Sequence, residues 1–212
     1  MEQEPADSPD SPRRPARIDG RHLRSERTKR LIVEAYMALV RESAAMPTAV
    51  QIAERAGYSV RSIFERFPDL HALRLAATDY AIAEAKVMGV LMDVDADRQT
   101  RIRSQIEARS RSCERWLPLW RVLNSNPDES PEIRARIATI RQLILQRMEV
   151  MFEPELATLS EADRRKTLLA LEAVTDFESW ARMVELFGLS PEEARRVWIG
   201  AVDRLLPVSP VS

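Results

Sequence analysis

Hydrophobic residues recur every three or four positions along most of the chain, which is the period of an α-helix rather than of a β-strand. Over residues 25–43 this pattern predicts a first helix, and no stretch alternates apolar and polar residues far enough to predict a strand. The 212 residues include only five glycines, and Ala, Leu, Arg and Glu are abundant, which also favours helices. The sequence therefore predicts an all-α protein. The buried stripe of the first helix is Leu31, Ile32, Ala35, Tyr36, Leu39 and Val40.

Two short helices joined by a glycine turn are predicted within residues 47–73. Thr48 and Gln51 stand at the spacing of a capping box, in which each side chain satisfies a backbone N–H group at the start of a helix. Gly57 follows this helix and suits the left-handed conformation that ends a helix and turns the chain. The pattern predicts a tight helix–turn–helix corner.

The second helix of this corner has a polar face. Ser59 can cap it, and Ile63 and Phe67 lie four residues apart on its apolar face. A short helix with a polar face, supported by another helix through a glycine turn, is the geometry that enters the major groove of DNA. Arg61 is the best candidate to read a base, because arginine can donate two hydrogen bonds to guanine. A phosphate contact or an exposed pair with Glu65 is the alternative role for Arg61.

This segment resembles the DNA-binding domain of the tetracycline-repressor (TetR) family of bacterial transcriptional regulators. The resemblance covers about residues 27–75, and beyond them only the all-helical layout is similar. Phe64 replaces a tyrosine, and Leu70 a lysine, that commonly contact phosphate in the family. The residues that carry the resemblance are Ile52, Ala53, Ala56, Gly57, Ser59, Ser62, Ile63, Phe64 and Phe67.

The resemblance implies an N-terminal three-helix, helix-turn-helix domain and a C-terminal helical domain that binds a ligand and dimerises. The expected function is sequence-specific DNA binding by a transcriptional repressor that a small-molecule effector releases from its operator. The expected partners are a palindromic double-stranded DNA, a second copy of the chain and an unknown effector. A ligand-independent dimeric DNA-binding protein and a helical adaptor or enzyme are the alternatives. The expected DNA-contacting residues are Thr48, Tyr58, Ser59, Val60, Arg61, Ser62, Phe64, Glu65 and His71.

Two of these expected contacts have an equally plain alternative. Tyr58 either packs on Ile63 or places its hydroxyl on a phosphate. His71 either replaces the missing lysine contact or is simply solvated.

The charge distribution supports a basic DNA-binding segment, although the formal net charge of the whole chain is −1. Residues 13–74 hold 13 Lys and Arg against 7 Asp and Glu, whereas residues 75–212 hold 19 against 22. Such a split is typical of a basic DNA-binding domain joined to a weakly acidic body. The predicted division is a disordered basic arm (1–24), the DNA-binding domain (25–70), the effector-binding and dimerisation domain (71–206) and a tail (207–212). The arm either follows DNA or merely aids solubility.

The body is predicted to contain five further helices. The first begins after Asp69 and continues to about Met92, and the second covers about residues 97–123 with a kink or a break at Pro118. The third begins at Ser130-Pro131 and ends near Phe152. The fourth runs from Ser160 to Phe187, with Gly188 as its stop, and the last begins at the capping box of Ser190 and ends before Pro207.

The apolar residues of the last two helices cover more than one narrow face, so we expect one side to pack on the core and the other on a partner. By resemblance, this helix pair forms a four-helix dimer interface, expected to include Trp180, Phe187, Trp198 and Leu205. A fully internal helix pair is the alternative.

Methionine and aromatic residues of the body are candidates to line an effector cavity, because such side chains suit adaptable apolar sites; plain core packing is the alternative. Asp176 lies on an apolar stripe, where a carboxylate needs a partner. It would bind a cationic effector or pair with an arginine across the dimer. An apolar or aromatic effector is the first expectation and a cationic one the second. The candidates are Met88, Met92, Trp116, Trp120, Met148, Met151, Phe152, Asp176, Phe177 and Trp180.

Other classes of protein lack support in the sequence. No apolar run approaches the ~20 residues of a transmembrane helix, and no signal peptide is predicted at the N-terminus. Cys113, the single cysteine, suits a reducing cytoplasm, and it is expected to be a buried apolar residue rather than a sensor. No catalytic, metal-binding or cofactor-binding motif is found. The expectation is a cytoplasmic protein that is not an enzyme and has no cofactor.

Overall fold

The computed structural model describes residues 20–43, 45–88, 91–125 and 130–208, and every regular element in these ranges is helical. The elements are α1 (Gly20–Ser43), α2 (Ala49–Ala56), α3 (Val60–Phe64), α4 (Leu70–Met88), α5 (Arg98–Asn124), α6 (Pro131–Met151), α7 (Glu153–Leu156), α8 (Glu161–Val174), α9 (Phe177–Ala181), a π-helical turn (Arg182–Leu186) and α10 (Pro191–Leu205). The prediction of an all-α protein is confirmed.

Helices α1, α2 and α3 form the small N-terminal unit, with α4 packed against α1. Ile32, Ile52 and Ile63, one from each of the three helices, are completely buried. Because each helix contributes one of these residues to a shared core, burying them fixes how the three helices pack. This unit supports α3 on the outside of the molecule.

Helix α5 is the central element of the body, since it contacts α1, α4, α6, α9 and α10. Asp97 caps α5 by accepting a hydrogen bond from the backbone N–H of Thr100 at 3.0 Å. Helix α4 packs on α1 of the N-terminal unit and on α5 and α6 of the body. Residue 71, where the sequence predicted a domain boundary, therefore lies in a helix that contacts both parts.

Several predicted helix limits need correction. Helix α1 is described from Gly20, earlier than the predicted start at residue 25. No proline lies between Pro15 and Ser43, so the helix extends towards the N-terminus with one more hydrogen bond per added residue. Residues 1–19 of the predicted disordered arm (1–24) lie outside the described residues, but residues 20–24 belong to α1, so the prediction of disorder is wrong there. Helix α4 is described to Met88, and residues 89–90 fall outside the described residues. The predicted continuation to Met92 is wrong, because Leu91 and Met92 are not helical. Helix α5 continues through Pro118, so the predicted break is wrong.

The long helix predicted from Ser160 to Phe187 is in fact two helices and a π-helical turn. Helix α8 ends at Val174, and Asp176 begins α9 by accepting a hydrogen bond from the backbone N–H of Ser179 at 2.6 Å. Asp favours helix N-termini because its carboxylate satisfies a free N–H group there. Gly188 has φ 67° and ends the segment as predicted.

Candidate DNA-reading surface and ligand cavity

The corner between α2 and α3 has the predicted local geometry. Thr48 Oγ1 accepts from the backbone N–H of Gln51 at 3.3 Å, and Gln51 Oε1 accepts from the backbone N–H of Thr48 at 2.9 Å. Gly57 has φ 73°, and a Cβ there would meet nothing within 4 Å. Backbone conformation alone therefore selects glycine at this turn.

Helix α3 presents its polar residues to solvent. Ser59 caps it, with Oγ accepting from the backbone N–H of Ser62 at 3.1 Å. Ile63 is buried, whereas the Arg61 side chain is 88% exposed and its Nε donates to Glu65 Oε1 at 3.1 Å. An exposed i, i+4 ion pair is weak, so Arg61 can leave Glu65 for another acceptor at little cost.

The body contains a cavity of about 630 Å³ between α4, α5 and α6, closed on one side by Phe177 of α9. This volume is typical of sites that enclose a small molecule. The Trp120 and Phe177 rings stack with their centroids 4.7 Å apart. The other apolar lining residues include Ala81, Ile82, Ala85, Leu91, Ala108, Trp116, Leu119, Leu123, Ile140, Leu143 and Ile144.

Polar groups enter this cavity at a few points. Arg109 is buried, its Nε donates to the carbonyl oxygen of Thr175 at 2.9 Å, and its guanidinium lies 4.7 Å from the centre of the Phe177 ring. Arg147 Nε donates to Gln105 Oε1 at 3.1 Å, and burial lowers the pKa of Arg147. The remaining polar lining residues are Lys86, Arg111 and Ser112.

The overall arrangement matches solved structures over most of the chain. A protein named as a TetR-family transcriptional regulator from Mesorhizobium loti superposes with a TM-score of 0.66 at 16% identity, covering 86% of this chain and 96% of that one. One from Rhodococcus sp., also named as a TetR-family regulator, gives a TM-score of 0.64 at 19% identity, covering 84% and 98%. The multidrug binding protein EbrR, in complex with imidazole, gives a TM-score of 0.59 at 20% identity, covering 88% and 93%.

This chain has the TetR fold. No model of a protein family matches the sequence, and neither does any curated protein.

Within the TetR fold, the residues predicted to contact DNA do not all lie on one free surface. Thr48, Ser59, Arg61, Phe64 and Glu65 are exposed, and Val60 and Ser62 are partly buried, all at or beside the corner of α2 and α3. Tyr58 is partly buried and packs against the core to which Ile63 belongs, which agrees with the packing alternative, and its hydroxyl lies 3.5 Å from Thr28 Oγ1 of α1.

His71 is placed differently from both predictions made for it. Its Nδ1 lies 3.2 Å from an Nη atom of Arg74, and its Nε2 lies 3.3 Å from Oγ of Ser130, the N-cap of α6. Both ring nitrogens therefore have neighbours inside the protein. His71 connects the start of α4 to the start of α6 rather than extending from the surface.

Of the residues predicted to line a ligand cavity, only three are among its lining residues: Trp116, Trp120 and Phe177. Met148, Met151 and Phe152 are buried in the core away from the cavity wall, and Met92 is exposed. The Met88 side chain lies outside the described residues. Trp180 packs against Trp198, with ring centroids 5.0 Å apart.

The role of Asp176 also needs correction. Its carboxylate caps α9 and is not among the cavity-lining residues, so the expectation of a cationic effector loses its basis. Its need for a partner is met within the chain by the backbone N–H of Ser179.

Among the cavity residues that sequence reasoning missed are two charged ones, Arg109 and Arg147, for which a signal exists. Arg109 interrupts an apolar stripe of α5 formed by Ile102, Ile106, Cys113, Trp116 and Trp120. Arg147 stands at the equivalent three- or four-residue spacing after Ile140 and Ile144 of α6. A charged residue on the inner stripe of a helix is expensive to bury, which marks these positions as candidates for a site.

None of the described helices combines the length and apolar character needed to cross a membrane. Among the described residues, no group of three His, Cys, Asp or Glu side chains is arranged to hold a metal ion.

Proposed function

We propose that this protein is a dimeric, sequence-specific DNA-binding transcriptional regulator of the TetR family, working in the cytoplasm, and that a small molecule bound in the body releases it from its operator. The observation that best supports this function is the position of α4. Its first turns pack beside the N-terminal unit, while Ala81, Ile82 and Ala85 form part of the cavity wall. Ile82 lies about 18 Å along the helix from Leu70. A ligand that displaces the cavity wall at Ile82 would therefore also move the start of α4, which packs beside the N-terminal unit.

DNA binding by α3 is supported by its exposed polar face and by the positive charge of residues 13–74. A charged arginine on a helix that fits the major groove can contact guanine or phosphate. Thr48 and Ser62 are placed beside it, with hydroxyl groups that suit phosphate. Because Phe64 and Leu70 lack groups that bind phosphate, Arg61 has more than usual importance for affinity.

Dimerisation is supported by large apolar side chains that remain exposed at the C-terminal end. They belong to α8, to the π-helical turn with the residue after it, and to α10, which packs against both of the others. Water-exposed apolar groups of this size favour burial against a partner. A second copy of the chain is the partner that a palindromic DNA site requires, because two α3 helices must face two half-sites. The residues are Leu169, Leu186, Phe187, Val197 and Leu205.

Effector control is supported by the cavity itself, and EbrR, a neighbour of the same fold, is a multidrug binding protein. For release, the ligand must bind more tightly to the conformation that binds DNA poorly. A ligand-independent regulator is the second candidate, and it would bind DNA identically with the cavity filled or empty.

The test begins with the full-length protein and fragments of the genomic region around its own gene. We expect a specific fragment to be retained, and substitution Arg61→Ala to weaken specific binding by about 1–3 kcal/mol and to relax discrimination at one base pair per half-site. Fluorescence anisotropy with labelled duplexes measures both.

The matched control is Arg196→Ala. Arg196 also forms an exposed i, i+4 pair, with Glu192 at 2.8 Å, but on α10. It should leave DNA affinity unchanged. Equal losses for Arg61→Ala on specific and random duplexes would assign Arg61 to phosphate, and no binding to any fragment at low salt would refute the proposed function.

A further inference from the structure

The cavity wall offers hydrogen-bond donors and positive charge but no carboxylate. Lys86, Arg109, Arg111 and Arg147 line it, and none of the described lining residues is Asp or Glu. Arg111 lies 2.7 Å from Glu107, so its charge is balanced outside the cavity. Arg109 and Arg147 place positive charge on a cavity wall that is otherwise mostly apolar.

Arg109 is a lining residue whose hydrogen-bond donors are not all satisfied. Its side chain is buried, Nε is bonded to the Thr175 carbonyl oxygen, and Nη2 is buried with no hydrogen-bond partner among the described residues. No described carboxylate forms an ion pair with it. A buried guanidinium without a counter-ion is costly. Since Arg109 is a lining residue of the cavity, an anionic ligand that reaches its guanidinium would supply the missing counter-ion and acceptor.

A second unsatisfied donor lies on the same wall. The Trp116 indole N–H is buried without a partner, two helical turns along α5 from Arg109, or about 10 Å. Every unsatisfied buried polar atom on the described cavity wall is thus a donor. A ligand that complements this wall supplies acceptors, and an ionised carboxylate is an acceptor only.

Gln105 and Arg147 lie close to Arg109. Gln105 precedes Arg109 by one turn of α5, so both project from the same face, and Gln105 Oε1 accepts from Arg147 Nε. The rest of the cavity is apolar and aromatic. These polar groups therefore suit a head group, and the stacked rings of Trp120 and Phe177, which lie beside Arg109, suit an apolar body.

We propose that the cavity binds an organic acid with an apolar or aromatic body, whose carboxylate is held by the buried guanidinium of Arg109 beside Arg147. A role of this acid as the effector rests on the proposed function, but its binding does not. The proposal excludes the cationic effector that the sequence suggested, because the carboxylate that supported it, Asp176, caps α9.

The first experiment compares matched ligands that differ only in the head group. The probes are decanoic acid, decanamide and decylamine, and 2-naphthoic acid, 2-naphthamide and 2-naphthylmethylamine, titrated into the full-length protein by calorimetry. In at least one series the acid should bind at least about tenfold more tightly than its amide, because a charged hydrogen bond is added, and the amine should bind most weakly. Equal or tighter binding of amide or amine, or no binding of either acid at about 1 mM, overturns the proposal.

The second experiment changes the protein. Arg109→Met should remove the preference for the acid, lowering acid affinity at least about tenfold while changing amide affinity little. Retained amide binding shows that the variant is folded, and Arg109→Lys should restore part of the preference. Should Arg109→Met not fold, Arg147→Met supplies the same comparison with a smaller expected loss.

Arg103→Met is the matched control, since Arg103 is an exposed arginine of α5 outside the cavity wall. It should bind acid and amide as the wild type does. An unchanged preference for the acid in the folded Arg109 or Arg147 variant would show that the head group lies elsewhere and would overturn the proposal.

A parallel DNA-binding measurement separates the two proposals. An acid that binds through Arg109 but leaves DNA affinity unchanged supports the anion site and contradicts effector control. A neutral or cationic ligand that fills the cavity and releases DNA supports effector control and contradicts the anion site.

Discussion

Individual polar residues determine what the N-terminal unit and the body can bind. At the DNA-binding end, Arg61 is held only by an exposed pair with Glu65 and is available to another acceptor. In the body, Arg109 is buried with an unsatisfied Nη2 group. The two arginines differ in burial rather than in residue type, so a sequence pattern that identifies the first does not reveal the role of the second.

Cys113 illustrates how burial controls reactivity at a single residue. Burial raises the pKa of its thiol to about 11, and the thiol is completely buried. Since the thiolate is the reactive form, the folded protein should resist alkylation at neutral pH. Mass spectrometry after iodoacetamide treatment should show modification of Cys113 only once the protein is unfolded; rapid labelling of the native protein would contradict this.

The same shift predicts a dependence of stability on pH. The pKa of the thiol in the folded state lies above the 9.0 of a free thiol, so the contribution of the buried thiol to stability is complete below about pH 9 and is lost as the pH rises towards 11. Compared with Cys113→Ala, the wild type should lose about 1 kcal/mol more unfolding free energy between about pH 8 and 10. Urea denaturation at both pH values measures the difference, and parallel losses in the two proteins would show that the thiol does not contribute.

At the scale of elements, the break between α8 and α9 changes which residues can form an interface. The separate α9 brings Trp180 against Trp198, and the Trp198 indole N–H donates to Ser179 Oγ at 3.3 Å. Both tryptophans are buried within the chain. Of the four residues predicted for the interface, these two belong to the core, while Phe187 and Leu205 stay exposed.

This distinction gives different expected results for two glutamate substitutions. Phe187→Glu should produce folded monomers, because Phe187 is 64% exposed and a charge there opposes burial against a second copy. Trp198→Glu should instead unfold the chain, because Trp198 is fully buried. Sedimentation velocity and circular dichroism distinguish the two outcomes.

The control for these substitutions is Val87→Glu, which places the same charge at a residue of α4 that is 76% exposed. It should remain a dimer. A wild type that is monomeric at micromolar concentration, or a dimer unaffected by Phe187→Glu and Leu186→Glu together, would contradict the proposed interface.

At the scale of the whole molecule, charge and apolar surface are separated along the chain. The N-terminal part is basic, and the C-terminal elements expose large apolar side chains. DNA binding should therefore depend strongly on salt, because phosphate contacts release counter-ions, whereas association through apolar surface should not. We expect DNA affinity to fall at least about tenfold between about 0.1 and 0.3 M salt, with the dimer unchanged by sedimentation. A flat salt dependence would contradict DNA binding through this basic segment.

The sequence by itself determined the helical class, the capping box of Thr48 and Gln51, the turn at Gly57 and the exposed polar face of α3. These features depend on contacts between residues at most a few positions apart, and such contacts are encoded in residue type and spacing. For the same reason the starts of α5, α6, α8 and α10 were predicted within one or two residues.

Only the tertiary structure decided which apolar residues face the cavity, the core or the solvent. Met148 and Trp120 look alike in the helical pattern, but Met148 is in the core and Trp120 lines the cavity. A broad apolar stripe indicates that a helix face is covered, but it does not indicate whether the core, a partner chain or a ligand covers it. The partners of His71 and Arg109 lie 59 and 66 residues away. Their roles follow from helices brought together by packing, which no local spacing specifies.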